Sequence, residues 1–241
     1  MLNYHSYETF STQDWPWIRM IFFLQWCPYR CLYCQNPDTI STDKNKKISA
    51  KEILKLVYKE KEYFWKDGWV TFSWWECLLQ IKELIPILKL LKENWIHTCL
   101  DTNGFLLNDD VKEALKYTDH VLPDIKWLTP RLHKKITWSS NLAPLDFIRY
   151  IDEKWMNYWI RYVVVPWLTD NELDIKRLWE FIQSLNNFQK INLLPYHTMA
   201  LEKWKHLWWD YPLKWVPAAT KEHLEKVKQT LSKYVNTNLI E

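Results

Sequence analysis

The sequence predicts an α/β fold in the form of a partial, open barrel of six β/α units, a (β/α)6 arrangement. Short apolar runs rich in β-branched residues recur along the chain, and segments with apolar residues at helical spacing lie between and after them. This alternation is typical of parallel β/α units. A closed barrel of such units needs eight strands, and the chain has six runs of this kind, so we expect an open barrel.

The predicted strands are short runs of Ile, Val, Leu, Phe and Tyr. They cover residues 18–25, 70–73, 96–101, 120–125, 159–165 and 191–195. The predicted helices show apolar residues every three or four positions. They cover residues 49–63, 79–93, 109–117, 142–153, 171–185 and 220–234. Ser49, followed three residues later by Glu52, predicts a capping box at the start of the first helix.

Length and charge limit the class of protein. At 241 residues the chain can bury one substantial core, and no linker or repeat divides it, so we predict a single domain over residues 1–241. The net charge is +3 and the lysines are balanced by glutamates, which argues against nucleic-acid binding. No apolar run has membrane-spanning length, and the N-terminus lacks the features of a signal peptide. We expect a cytoplasmic monomer.

Glycine and tryptophan occur in abnormal numbers. The chain has 2 glycines and 18 tryptophans, whereas about 17 glycines are expected at this length from a usual frequency of about 7%. Several tryptophans also stand where glycine is usual. Trp95 lies between a predicted helix and a predicted strand, Trp138 opens a turn-like stretch, and Trp167 follows a proline.

These positions suggest a hypothesis about decoding. Most of the tryptophans are read from a codon, UGA, that the source organism translates as glycine. The alternative is a genuinely tryptophan-rich protein, in which bulky side chains would occupy positions that favour positive φ. Trp159 and Trp204 are candidates for authentic tryptophans. The coding DNA decides between the two interpretations.

Three cysteines directly follow the first predicted strand. Cys27, Cys31 and Cys34 have the spacing C-x3-C-x2-C, and the chain has an odd total of five cysteines, which argues against a disulfide framework. Thiolates are the ligands of iron–sulfur clusters, and three of them leave one iron of a cubane open. The alternative is a zinc site completed by a ligand such as His5. Zinc motifs usually come as two spaced pairs, so we favour the cluster.

The C-x3-C-x2-C motif with an aromatic residue before the third cysteine is the signature of the radical SAM superfamily. More narrowly, the chain resembles the pyruvate formate-lyase-activating enzymes along nearly its whole length. The segments that carry this resemblance are residues 14–19, 24–36, 73–76, 96–104, 124–126, 159–170 and 193–197.

The resemblance implies an open barrel of the radical SAM type and a specific activity. A [4Fe-4S] cluster held by the three cysteines would reduce S-adenosylmethionine (SAM), and the 5′-deoxyadenosyl radical would take a hydrogen atom from a glycine of pyruvate formate-lyase under anaerobic conditions. A flavodoxin or ferredoxin would supply the electron. The alternatives are an activase of another glycyl-radical enzyme and a non-catalytic iron–sulfur or zinc module.

The resemblance also implies the residues that bind SAM. Tyr33 and Gln35 would lie against the nucleoside, Lys126 would contact the methionyl carboxylate, and His197 would contact the far side of the cofactor. Asp124 and Ile125 complete this set, together with Trp75. Trp74 and Trp75 stand where the family has a glycine pair whose backbone approaches the methionyl amino group, so two indoles there would block the cofactor. Gln35 replaces a histidine that is usual in the family.

A monovalent cation is the last implied cofactor. Asp101, Thr102 and Asp124 would hold it near SAM, and a cation would offset the repulsion between two carboxylates. The alternative for each aspartate is a helix N-cap or an exposed loop acid. Arg161, a basic residue in a predicted strand, and Glu76 have no assigned role, and Glu76 could be a structural hydrogen-bond acceptor.

Overall fold

The fold is given by a computed structural model that describes residues 1–11, 18–40, 46–64, 69–73 and 76–241. These residues form two compact units. The first unit contains Met1–Pro28 and Thr39–Leu122, and the second contains Tyr29–Asp38 and Pro123–Glu241. No helix in the described part of the chain is long and apolar enough to cross a membrane.

Six strands form the sheet of the first unit. They are β1 (Leu2–Ser11), β2 (Arg19–Leu24), β3 (Lys46–Ile48), β4 (Trp69–Ser73), β5 (Thr98–Thr102) and β6 (His120–Pro123). Their order across the sheet is β3-β1-β2-β4-β5-β6. β1 pairs antiparallel with β2 and β3, whereas β2 with β4 and β4 with β5 pair parallel. All residues of β2 and β5 are buried, as is typical of parallel strands covered on both faces.

Helices of the first unit follow the strands of the sheet. They are α1 (Ala50–Lys59), α2 (Ile81–Glu93) and α3 (Asp109–Leu115), with short 3-10 helices at Lys61–Phe64 and Cys77–Gln80. The capping box predicted for α1 is present. The Ser49 N–H donates to Glu52 Oε2 over 2.8 Å, and the Glu52 N–H donates to Ser49 Oγ over 3.3 Å.

The second unit contains a parallel two-stranded sheet of β7 (Trp159–Val164) and β8 (Lys190–Pro195). Its helices are α4 (Pro130–Thr137), α5 (Leu142–Glu153), α6 (Glu172–Gln183), α7 (Leu201–His206) and α8 (Lys221–Ser232). Burial alternates along β7, with Ile160, Tyr162 and Val164 inward. One core cluster of this unit brings the side chain of Tyr33 together with residues of α4, α7 and the segment after β8.

The six predicted strands and six predicted helices are all present, with bounds that differ by a few residues. Within the described ranges the strands are largely parallel and form no closed barrel, so the prediction of an open α/β fold is confirmed. Pro123, unfavourable inside a strand, is the last residue of β6 at the edge of the sheet. The sequence analysis missed β1, β3, α4 and α7. β1 carries many half-exposed polar residues, and α4 and α7 are short.

Positive φ angles coincide with tryptophan. Among the described residues six non-glycine residues have positive φ, and all six are tryptophans. They are Trp26 (80°), Trp95 (59°), Trp138 (63°), Trp155 (54°), Trp167 (63°) and Trp208 (59°). A Cβ in this region costs roughly 1–2 kcal/mol, and glycine is the residue that adopts it without penalty.

Three of these tryptophans end helices in the same way. α2, α5 and α7 each finish in a Schellman motif, in which the left-handed residue is usually glycine. At the end of α2 the Trp95 N–H donates to Lys92 O and the Ile96 N–H to Leu91 O. At the end of α5 the Trp155 N–H donates to Asp152 O and the Met156 N–H to Ile151 O. At the end of α7 the Trp208 N–H donates to Lys205 O and the Trp209 N–H to Trp204 O. The indoles of Trp95 and Trp208 are 93% and 94% exposed, so they contribute little packing to offset the strain.

Trp167 also occupies a position that favours glycine, in this case in a β-turn. The Leu168 N–H donates to Val165 O over 3.1 Å, which places Pro166 and Trp167 at the two central positions of the turn. With positive φ at the second of these positions the turn is of type II, where glycine is favoured after proline. The backbone therefore supports the decoding hypothesis at the positions that the structure describes. Trp15, Trp17, Trp65, Trp74 and Trp75 lie outside the described residues.

Trp204 differs from the six strained tryptophans. Its side chain is buried, its Nε1–H donates to Cys34 O over 2.9 Å, and its ring contacts Tyr211 edge-on at 5.2 Å. Trp159 lies in β7 with the Lys190 ammonium 4.4 Å from its ring centroid. In both residues the indole makes specific contacts, which supports the prediction that they are authentic tryptophans.

Replacing a strained tryptophan by glycine should stabilise the protein. We expect Trp95→Gly, Trp155→Gly and Trp208→Gly each to raise the free energy of unfolding by about 0.5–1 kcal/mol, because relief of the left-handed strain exceeds the added entropy of glycine in the unfolded chain. Trp204→Gly, the matched control, should lower it by about 3–5 kcal/mol. Urea denaturation measures both effects. UGG codons at the six strained positions would disprove the decoding hypothesis.

Burial of His120 should make stability depend on pH. Burial, and secondarily the charge of Arg19 and the ring of His97, lowers the pKa of His120 from 6.5 to about 3. The folded protein keeps this ring neutral, while the unfolded chain takes up a proton as the pH falls below about 6.5. The contribution is therefore fully present at pH 7.5 and decreases as the pH falls towards 3. Its loss between pH 7 and 5 amounts to roughly 2 kcal/mol.

His120→Gln should remove this part of the pH dependence, so that urea denaturation gives a smaller difference between pH 7 and pH 5 than in the parent protein. His206→Gln, a change of the same kind at an exposed position, should leave the difference unaltered. Equal pH dependence in the parent protein and His120→Gln would show that another group is responsible.

Candidate active site

The loop of the three cysteines begins at the carboxyl end of β2. Its start is fixed within the first unit, where Gln25 Nε2–H and Trp26 N–H both donate to Thr39 O over 3.1 Å. Trp26 has a φ of 80° and directly precedes Cys27. The chain thus turns sharply at the residue before the first thiol, a conformation that glycine would adopt without strain.

Cys31 and Cys34 belong to the second unit. The Cys34 N–H donates to Cys31 O over 3.0 Å, and the flanking Arg30 and Leu32 donate their N–H groups to carbonyls at the end of α4. Burial raises the pKa of the Cys31 thiol to about 11, although Lys126 opposes the shift. A metal would have to displace this proton, as is general for thiolate ligands.

The donor set fits an iron–sulfur cluster by its chemistry. All three cysteines are half-buried and none of the chain's cysteines is in a disulfide. In the described ranges no three His, Cys, Asp or Glu side chains lie close enough together to form a metal-ligand group. The fit to a cluster therefore depends on the three thiols of one loop, the ligands that [4Fe-4S] clusters take.

A partly buried ion pair lies beside the Tyr33 ring in the second unit. The Lys126 ammonium donates to Asp124 Oδ2 over 2.7 Å and lies 5.9 Å from the Tyr33 ring centroid. Burial lowers the pKa of Lys126, but Asp124, Tyr33 and Cys31 outweigh it, and the pKa ends well above its usual value. Lys126 is therefore a fixed cation that could bind a ligand carboxylate. The buried Ile125 donates its N–H to Arg161 O over 3.0 Å.

Gln35 and His197 come together although 162 residues separate them. Gln35 Nε2–H donates to His197 O over 2.8 Å and to Tyr33 O over 3.2 Å. Among the described residues, Gln35 Oε1 and His197 Nδ1 are buried without a hydrogen-bond partner. Burial also lowers the pKa of His197. A buried acceptor and a buried ring nitrogen without partners suit a polar ligand such as a nucleoside.

The first unit contains Asp101 and Thr102, two of the residues expected to hold a cation. Asp101 is buried in β5 and accepts a hydrogen bond from Ser73 Oγ over 2.6 Å, so it is neither a helix N-cap nor an exposed acid. Thr102 Oγ1 donates to Glu76 Oε1 over 2.5 Å and accepts from the Gly104 N–H over 3.0 Å. Trp75, also expected at the SAM site, lies outside the described residues.

Glu76 is a buried carboxylate with several donors. Besides Thr102, the Leu78 N–H donates to it over 3.0 Å and the Asn103 N–H over 3.1 Å. Burial raises the pKa of Glu76 to about 7, although these hydrogen bonds oppose the shift. Its suggested role as a structural acceptor agrees with this geometry.

Asn103 is a residue that the sequence analysis missed. Its Nδ2–H donates to Cys27 Sγ, with 3.7 Å between nitrogen and sulfur. The only signal in the sequence is its position two residues after the predicted strand 96–101, within a segment that resembles the family.

Comparison with known proteins settles the family. The family model of the radical SAM superfamily matches residues 21–178. The pyruvate formate-lyase-activating enzyme of Clostridium pasteurianum is 41% identical over 228 residues, which cover 94% of this chain and 95% of that protein. The pyruvate formate-lyase 1-activating enzyme of Escherichia coli K12 is 39% identical over 233 residues and 95% of each chain. The chain belongs to the pyruvate formate-lyase-activating enzymes of the radical SAM superfamily.

Solved structures agree with this assignment. A domain of a pyruvate formate-lyase-activating enzyme from Bacteroides vulgatus superposes with a TM-score of 0.59 at 28% identity, over 72% of this chain and 99% of that domain. SuiB of Streptococcus suis bound to SAM gives 0.64 at 14% identity, over 89% of this chain and 46% of SuiB, and shows the fold alone. The radical SAM family uses a [4Fe-4S] cluster and SAM, so the predictions of an enzyme with these cofactors are confirmed.

Loss of the Glu76 carboxylate should destabilise the first unit. Glu76→Ala would leave the buried Leu78 and Asn103 N–H groups and the Thr102 hydroxyl without an acceptor, at a cost of about 3 kcal/mol in the free energy of unfolding. Glu83→Ala, at an exposed position of α2, should cost less than about 0.5 kcal/mol. Urea denaturation compares the two. Equal stabilities would show that Glu76 is not needed to hold this region together.

Proposed function

We propose that this chain activates a pyruvate formate-lyase by generating a glycyl radical on it. The observation that carries the proposal is the 41% identity to the Clostridium pasteurianum activating enzyme over 94% of the chain. The aligned region also covers 95% of that relative. The proposal includes a single radical SAM domain over residues 1–241. The protein would act as a monomer in the cytoplasm, and a flavodoxin or ferredoxin would supply the electron.

Cys27, Cys31 and Cys34 are the proposed cluster ligands. A cluster held by these three cysteines would supply the single electron for reductive cleavage of SAM, the chemistry by which a glycyl radical would be made on the target enzyme. The protein's own part is to hold the loop in place. The hydrogen bonds from Arg30 and Leu32 to α4 and the Trp204 bond to Cys34 O support this role, because they fix the backbone beside two of the three thiols.

The residues proposed to contact SAM are side chains of the second unit and the backbone at positions 74 and 75, where the family has two glycines. Lys126 is a partly buried cation suited to the methionyl carboxylate. Gln35 Oε1 and His197 Nδ1 are suited to polar atoms of the nucleoside because both are buried without a partner among the described residues. Tyr33, Asp124 and Ile125 complete the set. Glycine at positions 74 and 75, as the decoding hypothesis requires, removes the indoles that would block the methionyl amino group.

A monovalent cation held by Asp101, Thr102 and Asp124 is also proposed. Asp101 is buried and accepts a hydrogen bond from Ser73 Oγ over 2.6 Å, and a cation near its carboxylate would lower the cost of burying the negative charge. Asp124 already has Lys126 as a cationic partner. The Thr102 hydroxyl donates its hydrogen to Glu76, so its oxygen could offer a remaining lone pair to a cation.

The activity can be tested with protein in which glycine replaces the suspected tryptophans. After anaerobic reconstitution and reduction with dithionite, we expect SAM to be converted to 5′-deoxyadenosine, and a glycyl radical signal to appear by electron paramagnetic resonance (EPR) when pyruvate formate-lyase is added. Cys27→Ser, Cys31→Ser and Cys34→Ser should each reduce product to the level without enzyme. Cys99→Ser, at a buried cysteine outside the motif, should retain activity.

Three other outcomes would contradict the proposal. Cluster binding without any 5′-deoxyadenosine would identify a non-catalytic iron–sulfur module. 5′-Deoxyadenosine without a radical on pyruvate formate-lyase would point to another glycyl-radical enzyme as the target. Activity in all three cysteine variants would rule out these residues as ligands.

A further inference from the structure

We propose that Asn103 raises the reduction potential of the cluster by donating a hydrogen bond to the sulfur of Cys27, an inference that rests on the proposed role of Cys27 as a cluster ligand. Asn103 acts through this sulfur and is therefore a positioning residue. It follows β5 in the first unit, where its side chain is only 5% exposed. The Nδ2–Sγ distance of 3.7 Å suits an N–H···S hydrogen bond, which is longer than one to oxygen.

The orientation of the Asn103 amide is fixed by a second contact. The Phe105 N–H donates to Asn103 Oδ1 over 3.0 Å. A backbone N–H can only donate, so it selects the oxygen end of the amide and leaves the NH2 end for Cys27. The contact closes a local turn of the kind in which an asparagine side chain accepts from the residue two positions on. Gly104, between them, has a φ of 68°.

The backbone of Asn103 is anchored as well. Its N–H donates to Glu76 Oε2 over 3.1 Å, while Glu76 Oε1 accepts from Thr102 and Leu78. The buried Glu76 carboxylate thus holds both the main chain of Asn103 and its neighbour. With backbone and side chain each fixed by separate hydrogen bonds, the donor aimed at Cys27 loses little entropy when it binds the sulfur.

The effect on potential follows from charge. Reduction adds one electron to the oxidised [4Fe-4S]2+ cluster and gives [4Fe-4S]+, and part of the added negative charge resides on the ligand sulfurs. A hydrogen bond to such a sulfur stabilises the reduced state more than the oxidised state, since bonds to more negative acceptors are stronger. Hydrogen bonds to sulfur are among the factors that set the potentials of these clusters. Removing the donor should therefore make the cluster harder to reduce.

Two variants distinguish the hydrogen bond that Asn103 donates to Cys27 from the one that it accepts from the Phe105 N–H. Asn103→Asp keeps an oxygen that can accept from the Phe105 N–H but replaces the donor by a carboxylate. Asn103→Ala removes both. The matched control is Asn108→Asp, the same chemical change at the N-cap of α3, where the side chain accepts from the Val111 N–H over 2.9 Å and aspartate serves equally well.

The experiment uses reconstituted, glycine-restored protein without SAM, titrated with dithionite as the electron source while the EPR signal of the reduced cluster is followed. We expect Asn103→Ala to lower the equilibrium constant for one-electron reduction about tenfold, which corresponds to 59 mV. Asn103→Asp should lower it further because it adds a negative charge near the sulfur. Asn108→Asp should match the parent protein. Iron and sulfide contents should be the same in all four proteins.

The contrary outcomes are distinct. Unchanged potentials in both Asn103 variants, with the parent cluster intact, would overturn this inference alone. Loss of the cluster in both variants would also overturn it, since a residue that donates one hydrogen bond to a ligated sulfur should alter the potential and not the iron content. A shift in Asn108→Asp equal to that in Asn103→Asp, with no shift in Asn103→Ala, would show a long-range charge effect and would overturn the inference. A parent protein that assembles no cluster would overturn the proposed function and this inference with it.

Discussion

The buried Glu76 carboxylate joins two loops that follow neighbouring parallel strands, β4 and β5. A buried carboxylate is costly unless several donors surround it. Here the donors come from both strand ends: Leu78 follows β4, Thr102 is the last residue of β5, and Asn103 follows it. The requirement to satisfy the two oxygens of one buried carboxyl group therefore links the ends of two strands. Thr102 and Asn103 are hydrogen-bonded to this carboxyl group, and Asn103 in turn donates to the Cys27 sulfur.

Backbone conformation is the second constraint. It connects the shortage of glycine and the excess of tryptophan to the loop that carries the proposed cluster ligands. Trp26 has its positive φ at the residue before Cys27, so whatever residue stands there determines how easily the chain enters the cysteine loop. A tryptophan would store strain beside a cluster ligand, whereas glycine would not. By resemblance to the family, the same replacement at positions 74 and 75 would leave space for SAM at the proposed site. The decoding of these codons therefore bears both on the strain in the helix caps and on the proposed cofactor site.

The sequence predicted regular features well and long-range contacts poorly. Strands and helices followed from the spacing of apolar residues, because burial imposes that spacing directly. β1 escaped notice because its side chains are largely half-exposed and polar, and α4 because a short helix leaves a short pattern. The cysteine motif was evident because its members are close in sequence. Contacts such as Asn103 with Cys27, or Gln35 with His197, depend on strand pairing and loop paths that spacing does not reveal.

Lys126 and the proposed cation would both interact with the Asp124 carboxylate. The Lys126 ammonium lies 2.7 Å from Asp124 Oδ2 and already neutralises that carboxylate within the second unit. A monovalent cation bound to the same carboxylate would be repelled by the ammonium at short range, and burial strengthens the repulsion. The two assignments are compatible if the methionyl carboxylate of SAM attracts Lys126 away from Asp124. In that case the negative charge of the cofactor would release Asp124 for the cation, and the two ligands would bind cooperatively.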